Sequence, residues 1–275
     1  MAYYSILNLN KEPFSTSPDP YFLYPSVSHR QALQRLEIAV RLKRGLSLIL
    51  GDVGTGKTTL ARVLIQTLNQ EPGIISHMIF DPVYDSEFQF ITYLANLLGV
   101  RPSFRSTLDY KEAIERFLFK KCVDEENIVV LVIDEAQKLN ASSLEILRTL
   151  LNYETNEYKL FQLIVIGQME LLPRLKRIRN FSDRVGLKYM LNPFDVNETR
   201  NMIEFRLRQA GYNSGKKLFT EQAIGLIYQH TQGYPRRIAN LCHSALESLV
   251  IKDRDMVQED IISEIIEVDR KVGLV

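Results

Sequence analysis

Five short apolar runs punctuate the first two thirds of the chain: Leu46–Leu50, Ile74–Phe80, Asn127–Glu135, Phe161–Gly167 and Gly186–Leu191. Their length and β-branched content predict buried strands. Helical periods fill the intervals. Ser28–Arg44 gathers Leu33, Leu36, Ala39 and Val40 on one face. Lys57–Asn69 spaces Leu60, Leu64 and Leu68 as a helix does, and Pro72-Gly73 closes it. Asp85 or Ser86 can cap a helix to Leu98, Asp109 can open another to about Lys121, and Leu144, Leu147 and Leu151 mark a further one. Strand alternating with helix predicts a parallel sheet covered on both faces.

The pattern changes after Asn192-Pro193, where strand signals stop. Asp195 with Glu198 has capping-box spacing. The helix behind it carries Ile203, Leu207 and Ala210 and ends at Gly211. Thr220–Thr231 is a second helix, Pro235 opens a third striped with Ile238, Leu241, Ala245 and Leu249, and Val257–Val268 forms a fourth. The expected organisation is an α/β domain over 1–192 and a small all-α domain over 193–275. Composition adds little: 275 residues, 45% hydrophobic, 24% charged and a net charge of +1 are ordinary for a globular chain. Bulk charge thus argues for neither nucleic acid nor membrane. Cys122 and Cys242 form no ligand motif and read as reduced thiols. No signal peptide and no apolar run of membrane-spanning length are visible.

The chemistry gathers at strand ends. Gly51–Thr58, GDVGTGKT, fits G-x-x-x-x-G-K-[ST], the phosphate-binding P-loop. Gly51, Gly54 and Gly56 let the backbone turn so that successive N–H groups point at one anion. Lys57 supplies a compact positive charge for β and γ phosphates, Thr58 a hydroxyl for Mg²⁺, and the helix start its partial positive charge. Gly51, Asp52, Val53, Gly54, Thr55, Gly56, Lys57, Thr58 and Thr59 are the expected nucleotide contacts. The third strand ends in Asp134-Glu135, an apolar run followed by acids, as in Walker B. There Asp134 can hold Mg²⁺ through water and Glu135 can polarise the attacking water. Gln168, at the tip of the fourth strand, can orient water or touch the γ phosphate; the other reading caps the next helix. Arg174, Lys176, Arg177, Arg179 and Arg184 crowd the following segment, and Arg174 and Lys176 read as a solvated face. The first 27 residues are interrupted by Pro13, Pro18, Pro20 and Pro25. Phe14, Tyr21, Phe22, Leu23 and Tyr24 are nevertheless too apolar for a free tail. The segment is expected against the nucleotide site or the core edge.

Several blocks together resemble the AAA+ ATPases of the general secretion pathway protein A (ExeA-like) type. They are PFSTSPDPYFLYPSVSHRQAL with Pro13-Phe14, Pro18-Asp19-Pro20 and His29, then GDVGTGKTTL, IDEAQ, LRTLLNYETNEYKLFQLIVIGQMEL and GYPRRIANLC. The resemblance covers nearly the whole chain. It implies a three-layer αβα P-loop domain with a five-stranded parallel sheet and an all-α lid. It also implies that Gln168 is sensor 1, that Arg184 is an arginine finger offered to a neighbouring subunit, and that Arg236 is sensor 2 on the lid. Met169 stands where the family often has Pro. Longer members carry a membrane segment and a peptidoglycan-binding domain, neither of which occurs in these 275 residues. The resulting expectation is an ATP- and Mg²⁺-dependent ATPase working as a ring or filament, with ATP between subunits. Its partner is an envelope-assembly protein of a secretion, pilus or exopolysaccharide system, met in the cytoplasm or at the inner membrane. Two alternatives stand beside it: a DNA-binding regulator of the transposition type, using the Arg174–Arg179 cluster, and a nucleotide switch with little turnover.

Overall fold

The computed structural model describes residues 3–102, 106–178 and 180–272. In chain order the elements are α1 (Tyr3–Ile6), α2 (Val27–Arg41), β1 (Leu46–Gly51), α3 (Lys57–Asn69), β2 (Ile74–Ile79), α4 (Glu87–Leu97) and α5 (Thr107–Phe119). There follow β3 (Ile128–Ile133), α6 (Ala141–Leu150), β4 (Phe161–Gly167), α7 (Leu171–Arg177) and β5 (Val185–Leu191). The last four helices are α8 (Val196–Gln209), α9 (Glu221–Thr231), α10 (Pro235–Ile251) and α11 (Glu259–Val272). The chain forms two compact units, one of 27–53 with 57–191, the other of the described part of 1–26 with 54–56 and the described part of 192–275.

The first unit is an α/β layer structure. Its five strands are all parallel in the order β2-β3-β4-β1-β5. β1 and β4 are buried throughout and β3 nearly so, which is why they read as unbroken apolar runs rather than alternating ones. Alternate residues serve opposite faces. Val129, Leu131 and Ile133 join a core with α4, α5 and α6, while Val130 and Val132 join one with α2 and α3. Edge strand β5 alternates between half-buried and exposed positions until Leu191.

Local details depart from the sequence reading. Asp109 does not open α5; Ser106 is its cap, accepting from the Asp109 N–H at 3.1 Å while the Asp109 carboxylate accepts from the Ser106 N–H at 2.7 Å. Ser86, rather than Asp85, caps α4. The helix expected after Gln168 had no bounds in the sequence reading; it is the short α7, which buries only Leu171 and Leu175, one turn apart.

The second unit is helical. Residues 3–26 belong here and not with the α/β unit, a correction to the expected 1–192 grouping. Phe14 is 1% exposed in the core built by α8 to α11 and meets Phe219 edge-on at 6.2 Å. Tyr24 meets Phe194 at 5.7 Å. The Arg206 guanidinium of α8 donates to the carbonyls of Phe22 and Ser15 at 3.2 and 3.1 Å. Prolines that forbid regular structure leave these carbonyls without a ladder, and Arg206 supplies donors instead. Among the described residues no helix is long and apolar enough to cross a membrane.

Truncating the aromatic that anchors this strap should be costly. Phe14→Ala is expected to lower stability by about 3–5 kcal/mol, the range for a buried Phe. Urea unfolding followed by circular dichroism measures it; a loss below about 1 kcal/mol, ordinary for surface changes, would remove Phe14 from the core of the helical unit.

Candidate nucleotide site

Strand order determines which chain exits are neighbours. Leu50 of β1 lies opposite Gly167 of β4, and Val165 of β4 opposite Ile133 of β3. The segments leaving β1, β4 and β3 therefore emerge side by side. They carry the P-loop, Gln168 and Asp134-Glu135.

In the P-loop, Gly54 and Gly56 have φ of 85° and 91°, a region that side chains with Cβ seldom enter. Thr55 is buried, Asp52 and Val53 are exposed, and Thr59 is half-buried in the first turn of α3. Lys57 opens α3 and is 5% exposed. Its Nζ donates to the carbonyls of Gly51 and Asp52 at 2.9 and 2.8 Å. Burial pulls the Lys57 ammonium below its usual pKa, against the opposing pull of Glu135, Asp134 and Asp52.

The two motifs meet at Thr58, whose Oγ1 donates to Asp134 Oδ2 at 2.6 Å. Asp134 is 1% exposed and also accepts from the Glu135 N–H at 2.9 Å. Burial pushes the Asp134 carboxyl above the usual carboxylate range, with the bonds from Thr58 and Glu135 working the other way. Glu135 sits at φ 49° and ψ 35°, a left-handed conformation that costs a residue with a side chain on the order of 1–3 kcal/mol. Its Oε2 accepts from Gln137 Nε2 at 2.7 Å, and Gln137 Oε1 accepts from the Gln168 N–H at 3.1 Å. Gln168 does not cap α7 with its side chain; its carbonyl accepts from the Leu171 N–H at 3.0 Å.

The sequence reading gave Gln137 no role and Arg174 a solvated one. The available signal for Gln137 was a lone amide two residues beyond the acidic pair in IDEAQ. Arg174 reaches back from α7 to donate to the carbonyls of Gln137 and Leu139, the latter at 3.1 Å. Arg174 is exposed, as the solvated reading expected, and in addition holds the turn after Glu135. Arg179 of the same cluster lies outside the described residues.

The two remaining arginines lie elsewhere. Arg184 immediately precedes β5, whose Val185 pairs with Leu46, the first residue of β1; the P-loop follows the last. Its guanidinium donates to the Arg148 carbonyl at 3.3 Å and to the Asn152 side chain, both neutral acceptors. Arg236 stands in the first turn of α10, and its amide donates to the Gly54 carbonyl of the same unit at 3.2 Å. Neighbouring Arg237 lies over the Tyr234 ring at 4.9 Å.

The donor set suits a polyphosphate with a hard divalent cation. The loop offers backbone N–H groups and a buried ammonium. Thr58 and Asp134 offer one hydroxyl and one carboxylate at hydrogen-bond separation, hard oxygen donors of the kind that would suit Mg²⁺, the carboxylate acting through water. Among the described residues no group of three His, Cys, Asp or Glu side chains builds an all-protein metal cage.

Known proteins resemble this chain. A family model described as an AAA domain matches residues 40–175. General secretion pathway protein A of Aeromonas hydrophila is 34% identical over 253 residues, covering 89% of this chain and 44% of that protein. The chain thus spans under half the length of that relative. Among solved structures, ORC2 of Aeropyrum pernix superposes with a TM-score of 0.67 at 16% identity, over 93% of this chain and 70% of that one. Drosophila ORC bound to DNA gives 0.69 at 18%, over 96% and 65%. At such identities these two likenesses establish the fold.

The electrostatics of Asp134 give a testable sign. Its pKa is raised by folding, so its contribution favours the folded state below the unfolded pKa and is lost as pH rises through the folded pKa. At neutral pH the buried carboxylate is therefore a cost. Asn at this position stays neutral, accepts from the Glu135 N–H and donates to Thr58. Asp134→Asn is expected to raise Tm at pH 7, with the gap closing as pH falls through the carboxylate range. A Tm for the variant equal to or below wild type at pH 7 would show that the carboxylate is not strained by burial.

Proposed function

Because the chain belongs to the AAA+ P-loop ATPases and is a relative of general secretion pathway protein A, we propose that it binds Mg·ATP and hydrolyses it. The cycle drives a change of assembly or shape that is passed to a macromolecular partner. The observation that carries this reading is the 2.6 Å contact between Thr58 and Asp134, which brings two motifs 76 residues apart to one point beside Lys57 and Glu135. Lys57 and the P-loop amides hold the phosphates. Thr58, and Asp134 through water, would hold Mg²⁺, which would supply charge neutralisation on the phosphate oxygens. Glu135 takes the proton of the attacking water, and Gln168 orients that water or the γ phosphate. Arg236 acts as the second sensor. These parts suffice because phosphoryl transfer is mainly positioning and electrostatic stabilisation.

Arg184 has a different part. Five residues of strand β1 separate its end of the sheet from the P-loop, about 17 Å at 3.3 Å per residue. It serves the active site of a neighbour instead, in head-to-tail packing that yields rings or filaments with ATP between subunits. The related secretion protein supports an envelope-assembly partner of a secretion, pilus or exopolysaccharide system. Work then takes place in the cytoplasm, at the inner membrane face. The DNA reading draws on the likeness to Drosophila ORC bound to DNA and on exposed Lys176 and Arg177. It is the weaker reading, because Arg174 is already committed to backbone carbonyls.

Removing the base tests the enzyme reading. Glu135→Gln is expected to keep ATP affinity and to hydrolyse ATP at least roughly a hundredfold more slowly, the range for loss of a general base. Labelled-nucleotide titration and phosphate release measure the two. An unchanged rate would place the water-activating group elsewhere, and no turnover by the wild type would leave the nucleotide-switch reading in its place.

A mixing experiment tests the neighbour's arginine. Arg184→Ala and Lys57→Ala are each expected to be inactive, and mixtures of the two to recover part of the activity, since some interfaces then combine an intact loop with an intact arginine. Mixtures shown to co-assemble that stay inactive would place Arg184 outside the reaction.

A further inference from the structure

Gln137 joins two working parts of the site and has no role in the mechanism above. It is 8% exposed. Its Nε2 donates to Glu135 Oε2 at 2.7 Å and its Oε1 accepts from the Gln168 N–H at 3.1 Å. Chemistry fixes which end of the amide is which: an ionised carboxylate only accepts, and a backbone N–H only donates. One side chain thus spans from the acid after β3 to the tip of β4.

The surroundings are built for that span. A Cβ on Gly167 would stand 3.1 Å from Gln137 Oε1, so the close approach depends on glycine at the end of β4. The backbone around Gln137 is pinned from two further directions. Arg174 donates to the carbonyls of Gln137 and Leu139, and Lys138 Nζ lies 3.1 Å from Asp81 Oδ1. Glu135 sits on a left-handed residue, and its side chain makes no cap bond to the turn that follows. A general base acts only when its oxygen is held within reach of the proton it removes.

We infer that Gln137 is a positioning residue for hydrolysis: it orients the Glu135 carboxylate toward the attacking water and couples that orientation to the tip of β4 at Gln168. The inference rests on the ATPase reading above. With Oε2 engaged by the amide, Oε1 of Glu135 is the oxygen presented to water. A displacement of Gln168 by the nucleotide is passed through one amide to the base.

The test uses the full chain. Gln137→Met keeps length and removes both polar ends. It is expected to lower kcat roughly ten- to hundredfold, as misplacing a reacting group does, while KM stays unchanged. Gly167→Ala crowds the amide from the β4 side with every polar group in place and is expected to lower kcat in the same way. The deciding measurement is a double-mutant cycle under single-turnover conditions. In a Glu135→Gln background, adding Gln137→Met should change the residual rate by no more than about twofold, because it acts through a group already lost. Wild-type kcat in Gln137→Met, or a loss that multiplies in the Glu135→Gln background, overturns the inference alone. Absence of hydrolysis by the wild type overturns the ATPase reading and the inference with it, whereas a full rate in Glu135→Gln removes Glu135 as the base and overturns the inference alone.

Discussion

In a sheet whose strands all run one way, every strand ends on the same edge, and that constraint governs this protein. β1, β4 and β3 are consecutive in the sheet although far apart in sequence. The loops leaving them cannot avoid one another. A glycine loop, an amide and an acidic pair become one site without any contact being arranged individually. The same parallelism places Arg184, which enters β5, at the other edge. One topological fact thus brings three segments to one edge of the sheet and places a fourth at the other.

The site holds charge where charge is unwelcome. Lys57 and Asp134 are almost fully buried, and burial displaces the pKa of each toward its neutral form. Glu135 adds a left-handed backbone. Each is a local loss of stability, offset by the apolar faces of a sheet buried between helices. Such losses belong at functional sites, where groups are kept ready for a ligand instead of for one another.

Much of this was legible in the residues. All five strands could be read because buried parallel strands leave unbroken apolar runs. The P-loop, Asp134 and Glu135 could be read because their spacing to a strand end carries the chemistry. What was illegible depends on distant partners. The aromatic strap of Phe14 and Tyr24 has no periodicity, so nothing local says which core it fills. Helix α7 buries two leucines only, too little to stand out as a period. Gln137 and Arg174 bond across about 30 to 40 positions of sequence, through an amide and a backbone carbonyl that look alike at any position. Asp109 against Ser106 was a milder failure, since both residue types favour helix starts and only geometry says which one is the cap.

The strap has a consequence for biosynthesis. Phe14 emerges from the ribosome 205 residues ahead of its partner Phe219. At 5–20 residues per second, that is a delay of about 10 to 40 s. Throughout it, Phe14, Phe22 and Tyr24 have no core to enter, while the sheet unit between them and their partners can already close. The nascent chain therefore carries an unpartnered apolar segment over that interval, available to chaperones or to a neighbouring nascent chain. The helical unit can complete its core only after α8 to α11 have emerged, because Phe14 packs among their residues.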